Sequence, residues 1–71
     1  MNKCLIDIKR ISGPYTKVAY RIMFDAENRC FELQYYNYGW NYAGDFDSEI
    51  EAEKALKKRD LMIYLGETVM L

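Results

Sequence analysis

Side chains with catalytic chemistry are few in this chain. None of its 71 residues is histidine and only two, Cys4 and Cys30, are cysteine. Without histidine, no side chain has an unperturbed pKa suited to proton transfer near neutral pH. Neither thiol has an activating neighbour in sequence. The serines Ser12 and Ser48 read as a turn residue and a helix cap. The run Asp45-Phe46-Asp47-Ser48-Glu49 offers oxygens on alternate residues, as a calcium loop does. Such a loop needs glycine at its sixth position and glutamate at its twelfth, where Ile50 and Leu56 stand here. Two isolated cysteines do not complete a zinc site, and no glycine-rich phosphate loop is present. The expectation is a non-enzymatic chain without metal or cofactor. Both thiols fall in apolar-patterned runs and read as buried.

The chemistry that is abundant is contact chemistry. Tyr35 to Phe46 holds six of the eleven aromatic residues, including Trp40, the single tryptophan. Tyrosine and tryptophan contribute large contact area at low entropic cost and are enriched at interface hot spots. Part of this stretch must fill the core of so small a protein, and Tyr35, Trp40 and Phe46 can do so. Tyr36, Tyr38, Trp40 and Tyr42 are the candidate protein-binding residues, with Trp40 able to serve either role. A second candidate set, Lys9, Lys17, Arg21 and Tyr36, places cations beside an aromatic, as sheet surfaces that stack single-stranded bases do. Ten basic against eleven acidic side chains leave a net charge of −1, which argues against phosphate neutralisation as the main task.

These residues must be positioned by strands and one helix. Residues 4–11 alternate, with Cys4, Ile6 and Ile8 on one parity and Leu5, Asp7 and Lys9 on the other. Ser12-Gly13-Pro14 punctuates the run as a turn. Val18, Tyr20, Ile22 and Phe24 then share one parity, and Phe31, Leu33 and Tyr35 do so again beyond Asp25-Ala26-Glu27-Asn28, where Asn28 suits a left-handed turn position. A strand continuing from Arg29 to Ala43 would be about 50 Å long at ~3.3 Å per residue, too long for a chain of this size. The bend falls at Asn37-Tyr38-Gly39, leaving Trp40 to Ala43 as a short strand and Ala43-Gly44-Asp45 as a second break. Ser48 with Glu51 forms a capping box. Acids crowd the start of the helix, and Lys54, Lys57, Lys58 and Arg59 its end, complementing the dipole. Ala52, Ala55, Leu56 and Arg59 form the inward stripe. Past Asp60 two readings stand: a strand over 61–65, which the cluster Ile63-Tyr64-Leu65 favours, or a helix continued to Leu65 and capped by Gly66. Residues 67–71 would extend or pair with that strand.

If the helix covers one sheet face, the other shows Lys3, Leu5, Lys9, Lys17, Arg21, Met23, Gln34 and Tyr36, together with Asp7 and Glu32. The expected fold is a single α+β domain over residues 1–71: a small antiparallel meander (β-β-β, short β, α, β) with one amphipathic helix on one face. No apolar run approaches the ~18 residues of a membrane span, and no signal-peptide or lipidation pattern is visible, so the reading is cytoplasmic. The expected function is protein binding through the aromatic surface and a sheet edge. Single-stranded nucleic-acid binding and homodimeric assembly are the alternatives. In size and make-up, a compact α+β chain with an acidic helix start and no enzyme motif, it resembles small phage and mobile-element inhibitors, including anti-CRISPR and other anti-defence proteins. That resemblance implies a partner within a nucleic-acid-processing complex.

Overall fold

A computed structural model describes residues 4–66. Four strands, β1 (Leu5–Ser12), β2 (Ala19–Asp25), β3 (Cys30–Tyr36) and β4 (Trp40–Phe46), form one antiparallel sheet in sequence order. The helix α1 (Glu49–Tyr64) follows and lies across β2, β3 and β4. The α+β meander expected from period-two alternation is the fold. The longest dimension, 35 Å, explains why the aromatic stretch folds back near Gly39.

The core lies between the sheet and α1. Tyr20, Ile22, Leu33, Ala52 and Leu56 are buried, with Phe31, Tyr35, Ala43 and Phe46 packed around them. Alternation along β2 and β3 therefore sends the parity of Tyr20 and Leu33 under the helix, where each large apolar side chain contributes about 1.5–3 kcal/mol. Ala52 and Leu56 stand one turn apart on the buried stripe, and a small residue at Ala52 lets the helix approach closely.

Several local expectations change. β4 is seven residues long and runs through Gly44, so the break expected at Ala43-Gly44-Asp45 is a bulge within the strand. Leu33 faces Gly44 and Gln34 faces Tyr42, which leaves Ala43 as the extra residue. In the β2–β3 turn the left-handed residue is Arg29 (φ 55°). Asn28 donates its amide to Asp25, which also accepts the backbone N–H groups of Glu27 and Asn28. Asp25 is thus a buried turn anchor. Cys4 is exposed and Cys30 half-buried, and neither is in a disulfide. β1 extends beyond the cover of the helix, which leaves Ile6 and Ile8 exposed as well.

Of the expected capping box the N-cap bond is present: the Ser48 hydroxyl accepts the Glu51 N–H at 3.1 Å. Its end differs from the favoured reading. The strand over 61–65 does not form; residues 61–64 are helical, and Gly66 with φ 81° closes the helix by donating to the Ile63 carbonyl. The four cations expected at the helix end consequently sit in its middle, and the last turn contains no basic residue. The pairing expected of 67–71 lies outside the described residues, as does Lys3.

The reason for the longer helix is Asp60. It is fully buried, and it accepts the backbone N–H groups of Tyr15 (2.7 Å) and Thr16 (3.0 Å), the Thr16 hydroxyl, and the Tyr20 hydroxyl (3.1 Å). A carboxylate that reads as a helix stop is instead the clamp between α1 and the β1–β2 loop. Gly13 passes so close that a Cβ there would stand 2.2 Å from Asp60 Oδ1.

Candidate protein-binding face

The β3–β4 hairpin sets the geometry of the aromatic stretch. Tyr36 faces Trp40 across a three-residue loop, Asn37-Tyr38-Gly39. Gly39 (φ 134°) and Tyr38 (φ 57°) both take positive φ, and Asn41 Nδ2 braces the turn by donating to the Asn37 and Gly39 carbonyls at 3.1 and 3.0 Å. Directly opposed residues share a face, so Trp40 follows Tyr36 onto the face opposite the helix. Trp40 is therefore no core anchor. It is half-buried, with its ring edge-on to Tyr36 at 5.4 Å.

Tyr42 also faces outward and is 58% exposed; its hydroxyl donates to Asp45 at 3.0 Å. Tyr38, at the hairpin tip, is exposed over its whole surface. A tyrosine in the left-handed region costs about 1 kcal/mol of backbone strain relative to glycine, and no packing within the described fold repays it. Three of the four candidate residues thus share the sheet face, and the fourth stands at its rim. Among the described residues no element packs on this face.

Arg21 was expected here and is present. Its guanidinium lies 4.2 Å above the Trp40 ring centroid, and its Nε donates to Gln34 Oε1 at 2.7 Å. Gln34 in turn donates to Glu32 at 2.7 Å, so a short polar chain fixes the arginine over the ring. Arg10, absent from the sequence-based candidates, joins the cluster 5.7 Å from the same ring. Beside it a groove of about 190 Å3 is lined by Arg10, Ser12, Ala19 and Trp40.

Lys9 and Lys17 do not belong to this face. Asp7 pairs with Met23 and Lys9 with Ile22, so Ile8 is an extra residue bulged out of the β1–β2 ladder. One extra residue reverses the parity beyond it. Lys9 is turned to the helix side, 2.7 Å from Glu53 and 3.1 Å from Glu49, and these contacts raise its pKa and lower that of Glu53. The same shift brings Arg10 to the open face. Lys17 sits in the β1–β2 loop with φ 64°, outside β2 altogether.

Among the described residues the open face consequently carries two arginines beside three acids, Asp7, Glu32 and Asp45, and Arg10 is ion-paired to Asp7 at 3.1 Å. That balance opposes a polyphosphate chain. The bulges also bear on strand addition. Both edge strands, β1 at Ile8 and β4 at Ala43, are bent by an extra residue, and Lys9 is an inward-pointing edge charge. Such devices blunt edge-to-edge pairing. Among the described residues no group of three or more Cys, Asp or Glu side chains is placed to hold a metal ion, and no helix is long and apolar enough to cross a membrane.

Compared with models of protein families, with curated proteins and with solved structures, the chain matches none.

Proposed function

We propose that this chain is a non-enzymatic protein-binding module whose contact surface is the open sheet face around Trp40, with the Tyr38 turn at its rim. One observation carries the reading: Tyr36, Trp40, Tyr42 and Arg21 share the face opposite the helix, and the fully exposed Tyr38 stands beside them in a strained backbone conformation. Tyrosine, tryptophan and arginine are the residue types that dominate interface energetics, and here they are pre-ordered by stacking and by a braced turn. An inhibitor or adaptor role is the form of this reading that the make-up shared with small phage and mobile-element inhibitors suggests.

The test is affinity capture of partners from lysate with four proteins: the wild type, Tyr38→Gly, Tyr42→Ala, and the helix-surface control Lys54→Ala. Tyr38→Gly relieves the positive φ, so it is expected to fold with stability within about 0.5 kcal/mol of wild type or above it. A specific partner retained by wild type and Lys54→Ala but lost from both tyrosine variants is the expected result. Equal capture by all four overturns the assignment of the face. Salt-sensitive retention of an oligonucleotide in place of a protein would transfer the face to the nucleic-acid reading.

A further inference from the structure

Arg10 and Arg21 are direct cross-strand partners on the open face. Like charges directly opposite one another in an antiparallel pair are destabilising. Both guanidinium groups also converge on one ring, at 5.7 and 4.2 Å from the Trp40 centroid. Trp40 offsets part of the repulsion through its π face, and Asp7 takes one contact from the exposed Arg10. Arg21 has no carboxylate within ion-pair distance among the described residues; its one hydrogen-bond acceptor there is the neutral Gln34 amide. The groove next to this pair opens because Ser12 and Ala19, themselves cross-strand partners, are small. Its volume of about 190 Å3 is roughly six waters' share of liquid volume, the scale of one side chain.

From this geometry we infer that the Arg10–Trp40–Arg21 cluster is a recognition site for a carboxylate side chain of an acidic peptide segment in the partner protein. The inference rests on the protein-binding reading and names the chemistry of the partner. A carboxylate set between the two guanidinium groups removes their mutual repulsion and accepts charge-assisted hydrogen bonds from arginine forks that stacking already holds in place. Neighbouring residues of the segment then lie against Tyr36 and the exposed ring of Tyr42. The acids Asp7, Glu32 and Asp45 around the cluster favour a single carboxylate at the arginine pair over a polyanion that would have to pass them. Apolar residues flanking that acid in the segment match the aromatic surroundings.

Trp40 is the single tryptophan, so its emission reports occupancy of the site directly. The full chain is titrated with a terminally blocked octapeptide carrying one central glutamate among valine and serine residues, with the same peptide bearing glutamine for that glutamate, and with a ten-nucleotide oligothymidylate. The expected result is a Trp40 emission change with the glutamate peptide and binding weaker by about tenfold or more with the glutamine peptide. Arg21→Gln, checked for folding by circular dichroism, is expected to bring that ratio close to one; Arg21→Lys, which keeps the charge and loses the planar fork, is expected to fall between. Equal binding of the two peptides, no emission change up to about 1 mM peptide, or tighter binding of the oligothymidylate overturns the inference. Capture experiments separate it from the broader reading. A partner lost with Tyr38→Gly and Tyr42→Ala but retained by Arg21→Gln leaves the protein-binding face standing without its carboxylate site.

Discussion

Replacing Asp60 by asparagine is the most incisive perturbation of this fold. The side chain is 0% exposed and accepts four hydrogen bonds, two from backbone N–H groups and two from hydroxyls. In Asp60→Asn the amide oxygen can still accept from Tyr15 and Thr16, while the Thr16 and Tyr20 hydroxyls can rotate to accept from the amide nitrogen. The number of bonds is thereby preserved and the charge assistance is lost. Hydrogen bonds to charged groups contribute about 1.5–3 kcal/mol each, against about 0.5–1.5 for neutral ones, a difference of about 1–1.5 per bond, so four bonds set an upper limit near 6 kcal/mol. Each carboxylate oxygen is shared by two donors, so the contributions are not additive and the expected loss is about 2–3 kcal/mol. Domains of this size have total stabilities of about 4–11 kcal/mol, so the loss is a large fraction. Urea unfolding followed by circular dichroism measures it: with a slope near 1 kcal/mol per molar, the midpoint drops by about 2–3 M.

The pH dependence supplies an internal control. Burial pushes the Asp60 carboxyl up, but the bonds from Thr16, Tyr15 and Tyr20 outweigh it and hold the folded-state pKa below the ordinary value. A depressed folded pKa contributes stability that is present above the unfolded value, near 3.9, and is lost as pH falls through the folded value. The difference between wild type and Asp60→Asn is therefore full at pH 7 and shrinks below about pH 4. A loss under about 0.5 kcal/mol at pH 7, or a difference independent of pH between 7 and 2, would refute the clamp.

Two further outcomes follow from the same cluster. Gly13→Ala pushes a methyl group into the Asp60 carboxylate and is expected to cost about 1–3 kcal/mol in a thermal melt; the same substitution made in an Asp60→Gly background should cost less, as a double-mutant cycle reads. The Tyr20 phenol is raised to about 12 by burial and by the Asp60 charge, so its contribution is present below about pH 10 and disappears as pH rises toward 12. Tyr20→Phe should flatten that alkaline limb in denaturation curves recorded between pH 9 and 12, and an unchanged slope would exclude Tyr20 as its source.

Much of the fold is legible in local pattern. Tyr20, Ile22 and Leu33 lie under the helix because alternate residues of a strand face opposite sides, and Ser48 caps the helix because its hydroxyl reaches the Glu51 N–H whatever the rest of the chain does. The bend at Asn37-Tyr38-Gly39 follows from length alone. Parity also assigns Tyr35 to the core side and Tyr36 to the open face.

What local pattern cannot supply is anything defined by a partner strand. Ile8 and Ala43 are ordinary residues in their own runs; each becomes a bulge only when the facing strand has one residue fewer to pair with it. The Ile8 bulge alone exchanges Lys9 for Arg10 on the open face and thereby replaces a basic surface with an arginine pair over Trp40. The helix end is of the same kind. Asp60 followed by Ile63-Tyr64-Leu65 reads locally as a stop and a strand, until three donors from a loop more than forty residues away and the Tyr20 hydroxyl of β2 surround the carboxylate. Sequence alone determined the first three strands, the helix start and the aromatic content, because periodicity and capping act over one turn or one pleat. Register across the turn, parity beyond the bulges and the burial of Asp60 were decided by tertiary structure, because each is a relation between segments that neither segment encodes by itself.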